Sequence, residues 1–109
     1  MSLVNEQWEF LKDVARLTEY ISRVGIIASG GELWRTAEQQ AIYVRTGKSK
    51  TKNSKHLDRL AIDINFFDEN FKLIECPVAV GDYWESLSDN NEWGGKWTFK
   101  DSGHFQRNR

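Results

Sequence analysis

"SKHLDRLAIDINFF", residues 54–67, is the stretch on which the fold turns. From Leu60 to Asn65 its side chains alternate. Leu60, Ile62 and Ile64 fall on one side, and Ala61, Asp63 and Asn65 on the other. A period of two marks a β-strand with one face against a core. Asp63 therefore points away from the apolar side, next to the small Ala61. A carboxylate on a partly enclosed face needs a partner, because an unpaired buried charge is costly. Beyond the strand, "FDENF" reads as a turn and "KLIE" as the second arm of a hairpin.

Working outward, residues 3–24 predict an amphipathic helix. Val4, Trp8, Leu11, Val14, Leu17 and Ile21 recur at spacings of three and four, while Asn5, Glu6, Glu9, Lys12 and Asp13 fill the other face. Gly25 is its stop. Ile26 and Ile27 begin a short strand, Gly30-Gly31 marks a turn or bulge, and Leu33-Trp34 resumes an extended segment. A second helix is expected over 37–46, capped by Thr36 with Gln39 three residues on, and ended by Gly47. "KSKTKNSK", residues 48–55, carries four lysines and reads as a solvated loop rather than a phosphate cradle, since it lacks a Gly-rich backbone. After Pro77, Val80, Tyr83, Trp84 and Leu87 lie at helical spacing. "NNEWGGKW" reads as a glycine-containing loop, and "GHFQ" as a last strand. The expectation is one α+β domain over residues 1–109, a short, mostly antiparallel sheet flanked by helices.

Composition narrows the function classes. The chain has 109 residues, 39% hydrophobic and 28% charged, with a formal net charge of −1. That is a globular composition with no general pull toward nucleic acid or an anionic membrane. The one cysteine, Cys76, admits neither an internal disulfide nor a Cys-rich zinc cluster. Its apolar neighbours suggest a buried thiol. The N-terminus does not read as a signal peptide. No run approaches the ~18 apolar residues that span a bilayer. These features suggest cytoplasmic synthesis.

Only two histidines are available to Asp63. His56 precedes the strand. His104 lies in the last strand, with Gln106 on its own face and Phe105 toward the core. If the two strands pair, two imidazoles and a carboxylate converge in a set that suits one Zn²⁺ with a position left for water. Two surface histidines and a salt-bridged Asp63 account for the same residues. Asp101, three residues before His104, is placed to move a proton, or is simply a turn-forming residue before Ser-Gly. Arg35, at the end of an extended segment, is placed to hold a carboxylate or an oxyanion, or is a surface arginine.

These residues match a family pattern. "SKHLDRLAID" resembles the S-x-H-x-x-G-x-A-x-D motif of the zinc D-alanyl-D-alanine peptidases and L-alanyl-D-glutamate endopeptidases, a group with vancomycin-resistance D,D-peptidases and phage endolysins. "DSGHF" resembles the second motif, and "WRTAEQQAIYVRTGKSKTKNS" the upstream Arg-to-Gln helix and loop. The resemblance implies a fold of the hedgehog and D,D-peptidase kind, with one Zn²⁺ on His56, Asp63 and His104. It implies Asp101 as catalytic base and Arg35 as stabiliser of the substrate carbonyl or carboxylate. Ser54 takes the motif serine, and Gln39 or Gln40 the motif glutamine. Arg59 stands at the motif glycine, where it would narrow the site or read a charged group. The implied function is hydrolysis of peptidoglycan stem peptides by a monomer, as an endolysin-type L-Ala–D-Glu endopeptidase that reaches the wall after release. D-Ala–D-Ala carboxypeptidase activity, or a non-catalytic zinc-bound wall-binding domain, is the alternative. Neither a nucleic-acid partner nor membrane insertion is implied.

Overall fold

The period-two stretch forms the central strand β2, Ala61–Phe67, of the computed structural model, which describes residues 2–49 and 54–109. Leu60, Ile64 and Phe66 are buried in the core, while Asp63 lies half-buried on the other face. Four more strands join it: β1 (Ile27–Gly30), β3 (Leu73–Ile74), β4 (Asn91–Trp93) and β5 (His104–Arg107). The path runs β1-β2-β5-β4, with β3 returning on β2 as the hairpin arm. Every pairing is antiparallel, with Ile27 opposite Phe67, Phe66 opposite Ile74, Ile62 opposite Phe105 and Trp93 opposite Phe105. Among the described residues, three helices flank the sheet: α1 (Leu3–Arg23), α2 (Ala37–Arg45) and α3 (Val78–Ser86). The α+β reading of the sequence is thus the observed architecture. The lysine-rich run lies partly outside the described residues.

The core is an aromatic stack between α1, α3 and the sheet. Trp84 meets Phe10 edge-on at 5.6 Å and Phe105 at 6.0 Å, and its indole N–H donates to the Gln106 carbonyl at 3.1 Å. Trp93 is pressed between Gly81 and Gly95, where an added Cβ would come within 2.0 and 2.1 Å of its ring. Any side chain at Gly81 would force α3 away from β4. This packing corrects the reading of "NNEWGGKW" as a loop. Asn91–Trp93 is a strand whose Trp93 is 3% exposed, and a 3₁₀ turn follows at Gly94–Lys96.

The buried face of α1 agrees with its apolar spacing at Leu17 and Ile21 and departs from it in the first half of the helix. Phe10, Leu17 and Ile21 enter the core together with Glu6 and Asp13, while Val4, Trp8 and Leu11 are 71%, 57% and 51% exposed. The helix is rotated because its inward carboxylates have partners. Arg107 Nε donates to Glu6 at 3.0 Å, and Asn91 Nδ2 and Arg16 Nη1 donate to Asp13 at 3.1 and 2.7 Å. A hydrophobic period carries no trace of Arg107 and Asn91, partners 101 and 78 residues away. At α2 the expected cap is present, with Thr36 Oγ accepting from the Gln39 N–H at 3.0 Å. Leu33 and Trp34 form no strand and are exposed, because β1-like pairing stops after two bonds between Gly31–Glu32 and Asp63.

Glu6→Ala leaves the Arg107 guanidinium buried without its carboxylate, and a loss of about 3–5 kcal/mol in urea unfolding is expected. Glu6→Leu with Arg107→Met recovers most of it, because both charges leave the interior together. Burial pushes the Cys76 thiol up to about 12. The native thiol is therefore expected to resist iodoacetamide at pH 8–9 and to react once urea unfolds the chain. Between the ordinary thiol value and about 12, the unfolded chain has shed a proton that the native state keeps. Stability therefore falls as pH rises through that window, and Cys76→Ser flattens the slope.

Candidate active site

The β2–β5 register sets Asp63 directly opposite His104, so both side chains leave the same face of the sheet. The turn before β5 is tight. The His104 N–H donates to the Asp101 carbonyl at 3.1 Å, and the Asp101 N–H to the Gly94 carbonyl at 2.9 Å. A Cβ on Gly94 would stand 2.4 Å from that Asp101 oxygen, so the approach requires glycine. The turn leaves Asp101 exposed at the rim of the cavity that His104 lines.

His56 arrives from a 3₁₀ turn, Lys55–Asp58, over the same face. Ser54 Oγ accepts the His56 N–H at 3.2 Å and caps the turn. Arg59 closes it in the left-handed region, at φ 58° and ψ 36°. That conformation explains a glycine in the motif, and an arginine there costs about 1 kcal/mol. Its side chain does not reach the site. The guanidinium lies 4.8 Å from the Trp34 ring centroid, outside the cavity lining, so the expected narrowing of the site or reading of a charged group is not seen.

His56 Nε2 and His104 Nδ1 stand 3.2 and 3.3 Å from Asp63 Oδ1. One atom from each of the three residues lies within 4.8 Å of the others. The outer ring nitrogens face oxygens that only accept. His56 Nδ1–H donates to the Leu33 carbonyl at 3.0 Å, and His104 Nε2–H to Gln106 Oε1 at 2.8 Å. Each neutral ring must then turn a lone pair inward, toward a carboxylate oxygen. Three acceptors aimed at one another repel unless a cation sits between them, so the donor set fits a divalent metal with its outer-shell partners in place. With protons rather than a metal on the inward nitrogens, burial works to raise the Asp63 pKa, but the hydrogen bonds that His104 and His56 then donate outweigh it and hold the carboxyl well below the usual range. Burial likewise works against charge on His104, and the bonds to Asp63 and Gln106 win and raise its pKa. At Asp101 desolvation prevails over the attraction of His104, and its pKa is raised.

Arg35 is held from several sides. Its Nε donates to Glu32, Nη1 to Gln40 Oε1 at 2.6 Å, and Nη2 lies 3.5 Å from Asp63 Oδ2. The Tyr43 ring lies 4.6 Å from the guanidinium, and the Tyr43 hydroxyl donates to Glu32 at 2.9 Å. Of the two alternatives, Gln40, 1% exposed, is thus the one that contacts Arg35. Gln39, the other alternative, offers its backbone N–H to the helix cap, because the 3.6-residue turn points its side chain elsewhere.

These residues line a cavity of about 540 Å³ with Arg35, Ser54, His56, Asp63, Asp101 and His104 in its wall. Trp97 and Phe99 form its apolar side. A second cavity of about 600 Å³ shares Asp63 and Asp101 and continues past Asn65, Ile74, Lys100 and Ser102. Sequence reasoning missed Glu32, Tyr43 and the Gln106 contact. Tyr43 was findable, three residues after Gln40 on one helix face. Glu32 carried no such signal.

Residues 47–107 match the model of a peptidase family described as D-alanyl-D-alanine carboxypeptidase. No match is found among curated proteins. Among solved structures, the chain is similar to the Serratia marcescens L-Ala D-Glu endopeptidase ChiX, with 27% identity and a TM-score of 0.68, covering 88% of this chain and 78% of that one. The family match takes in His56, Asp63, Asp101 and His104, more than half of the chain. The chain therefore belongs to the D-alanyl-D-alanine carboxypeptidase family of peptidases.

Proposed function

We propose that residues 1–109 form a single catalytic domain, a monomeric zinc peptidase that cuts the stem peptides of bacterial peptidoglycan at L-Ala–D-Glu, in the manner of an endolysin. The observation that carries this reading is the convergence of His56 Nε2, Asp63 Oδ1 and His104 Nδ1, with both outer ring nitrogens committed to carbonyl oxygens. The family match and the similarity to an endopeptidase support it. Cleavage within a peptide, rather than at its end, is supported by a second cavity that shares Asp63 and Asp101 with the first and offers room beyond the site. Among the described residues no helix is long and apolar enough to cross a membrane. Action on the wall after release from the cell is part of the same proposal.

His56, Asp63 and His104 would hold Zn²⁺, which supplies a Lewis acid for the scissile carbonyl and lowers the pKa of a water. Asp101, at the rim, accepts the proton of the attacking water and returns it to the leaving amine. Arg35, fixed by Glu32 and Gln40, places positive charge beside the reaction centre, where the tetrahedral oxygen becomes negative. Ser54 acts indirectly, by capping the turn that presents His56. Trp97 and Phe99 shield one wall from water.

The purified protein is expected to carry one zinc and to release products of L-Ala–D-Glu cleavage from muropeptides by mass spectrometry. Chelation should abolish cleavage, and added zinc should restore it. Loss of a terminal D-Ala instead would establish the carboxypeptidase that the family description names. Asp101→Asn should retain the zinc and lose about 10²–10⁴-fold in kcat. Zinc without cleavage, indifferent to Asp101→Ala, would leave a wall-binding domain. A protein without zinc would refute the reading.

A further inference from the structure

Behind His104 runs a chain of side-chain hydrogen bonds that ends on a carboxylate. His104 Nε2 meets Gln106 Oε1 at 2.8 Å, Gln106 Nε2 donates to Asn108 Oδ1 at 2.9 Å, and Asn108 Nδ2 donates to Glu92 Oε1 at 3.0 Å. His104, Gln106 and Asn108 alternate along β5 and its extension, so they share a face, and Glu92 stands opposite Gln106 in the β4–β5 register. The other Glu92 oxygen accepts from Trp97 Nε1 at 2.6 Å, and the Trp97 ring closes the circuit 5.0 Å from the His104 ring.

An amide can point either way, but a carboxylate only accepts. Glu92 therefore requires Asn108 to offer its NH₂, which turns the Asn108 oxygen toward Gln106. Gln106 must answer with its own NH₂, which turns its oxygen toward His104. The proton of His104 then belongs on Nε2, and its lone pair on Nδ1 faces Asp63. We infer that Glu92 is a positioning residue for the metal centre: acting through Asn108 and Gln106, it fixes the His104 tautomer that presents Nδ1 as a ligand. The inference rests on the zinc reading above and names a residue three side chains removed from the ligand.

The test is Zn²⁺ affinity by chelator competition, with the melting temperature of the metal-free protein measured alongside. Glu92→Gln is nearly isosteric. With Trp97 still donating to its oxygen, its NH₂ faces Asn108 and reverses the relay, so that Gln106 offers a donor to His104. Affinity is expected to fall about 10- to 100-fold, with kcat changed less than affinity once zinc saturates the site. Asn108→Ala leaves every charge in place and frees the Gln106 amide to rotate, so affinity should fall by a smaller factor. Glu92→Gln with Asn108→Asp puts an acceptor-only group back into the relay at the same net charge and should restore affinity. Wild-type affinity in Asn108→Ala would reduce Glu92 to a distant charge and overturn the relay. So would a double variant as weak as Glu92→Gln. If the wild-type protein binds no zinc, the functional reading fails first, before any variant is compared.

Discussion

The antiparallel pairing of β2 with β5 is the constraint on which the rest of this protein depends. It sets Asp63 opposite His104, with Ile62, which packs against the core, and the buried Phe105 as the next pair. Side chains alternate across a sheet, so a slip of one residue would turn Asp63 into the core and Ile62 into the cleft. The register is held from the side by α1. Arg107, the last residue of β5, donates its N–H to the Leu60 carbonyl and its Nε to Glu6. The buried ion pair is thus more than a packing detail, because it anchors the end of the strand that carries His104. Its net contribution to stability is small, since desolvation offsets most of the attraction, but only one alignment of α1 on the sheet satisfies it.

Around that pairing the site is built with its polar groups directed. Each histidine has its outer nitrogen tied to an oxygen, one on the backbone of Leu33 and one on Gln106. Asp63 divides its two oxygens between the histidine pair and Arg35. Arg35 in turn is fixed by Glu32, Gln40 and the ring of Tyr43. The ligand set therefore needs little rearrangement to accept a cation, which limits the ordering cost of binding.

The strand around Asp63, the hairpin after it and the second helix were all legible in the sequence, because period-two alternation and an N-cap are local signals. So were Asp63 and the two histidines, since the chain contains only two histidines. The face of α1 was only partly legible: Leu17 and Ile21 are buried as their spacing predicts, but the first half of the helix is not placed by it. Its apolar spacing points to Val4, Trp8 and Leu11, whereas the buried face is set by Arg107 and Asn91, which α1 meets only after folding. Nor was the choice between Gln39 and Gln40, which depends on how α2 rolls against Arg35.

The sequence by itself determined which atoms were available: a strand with a carboxylate on its open face and two imidazoles. These follow from residue type and short-range periodicity, which need no knowledge of distant contacts. Only the tertiary structure decided that the three donor groups converge within 4.8 Å, that Arg59 turns away onto Trp34, and that Glu92 stands behind His104 through two amides. Those outcomes depend on strand register and helix rotation. Both are set by contacts between residues far apart in the chain, which no local pattern records.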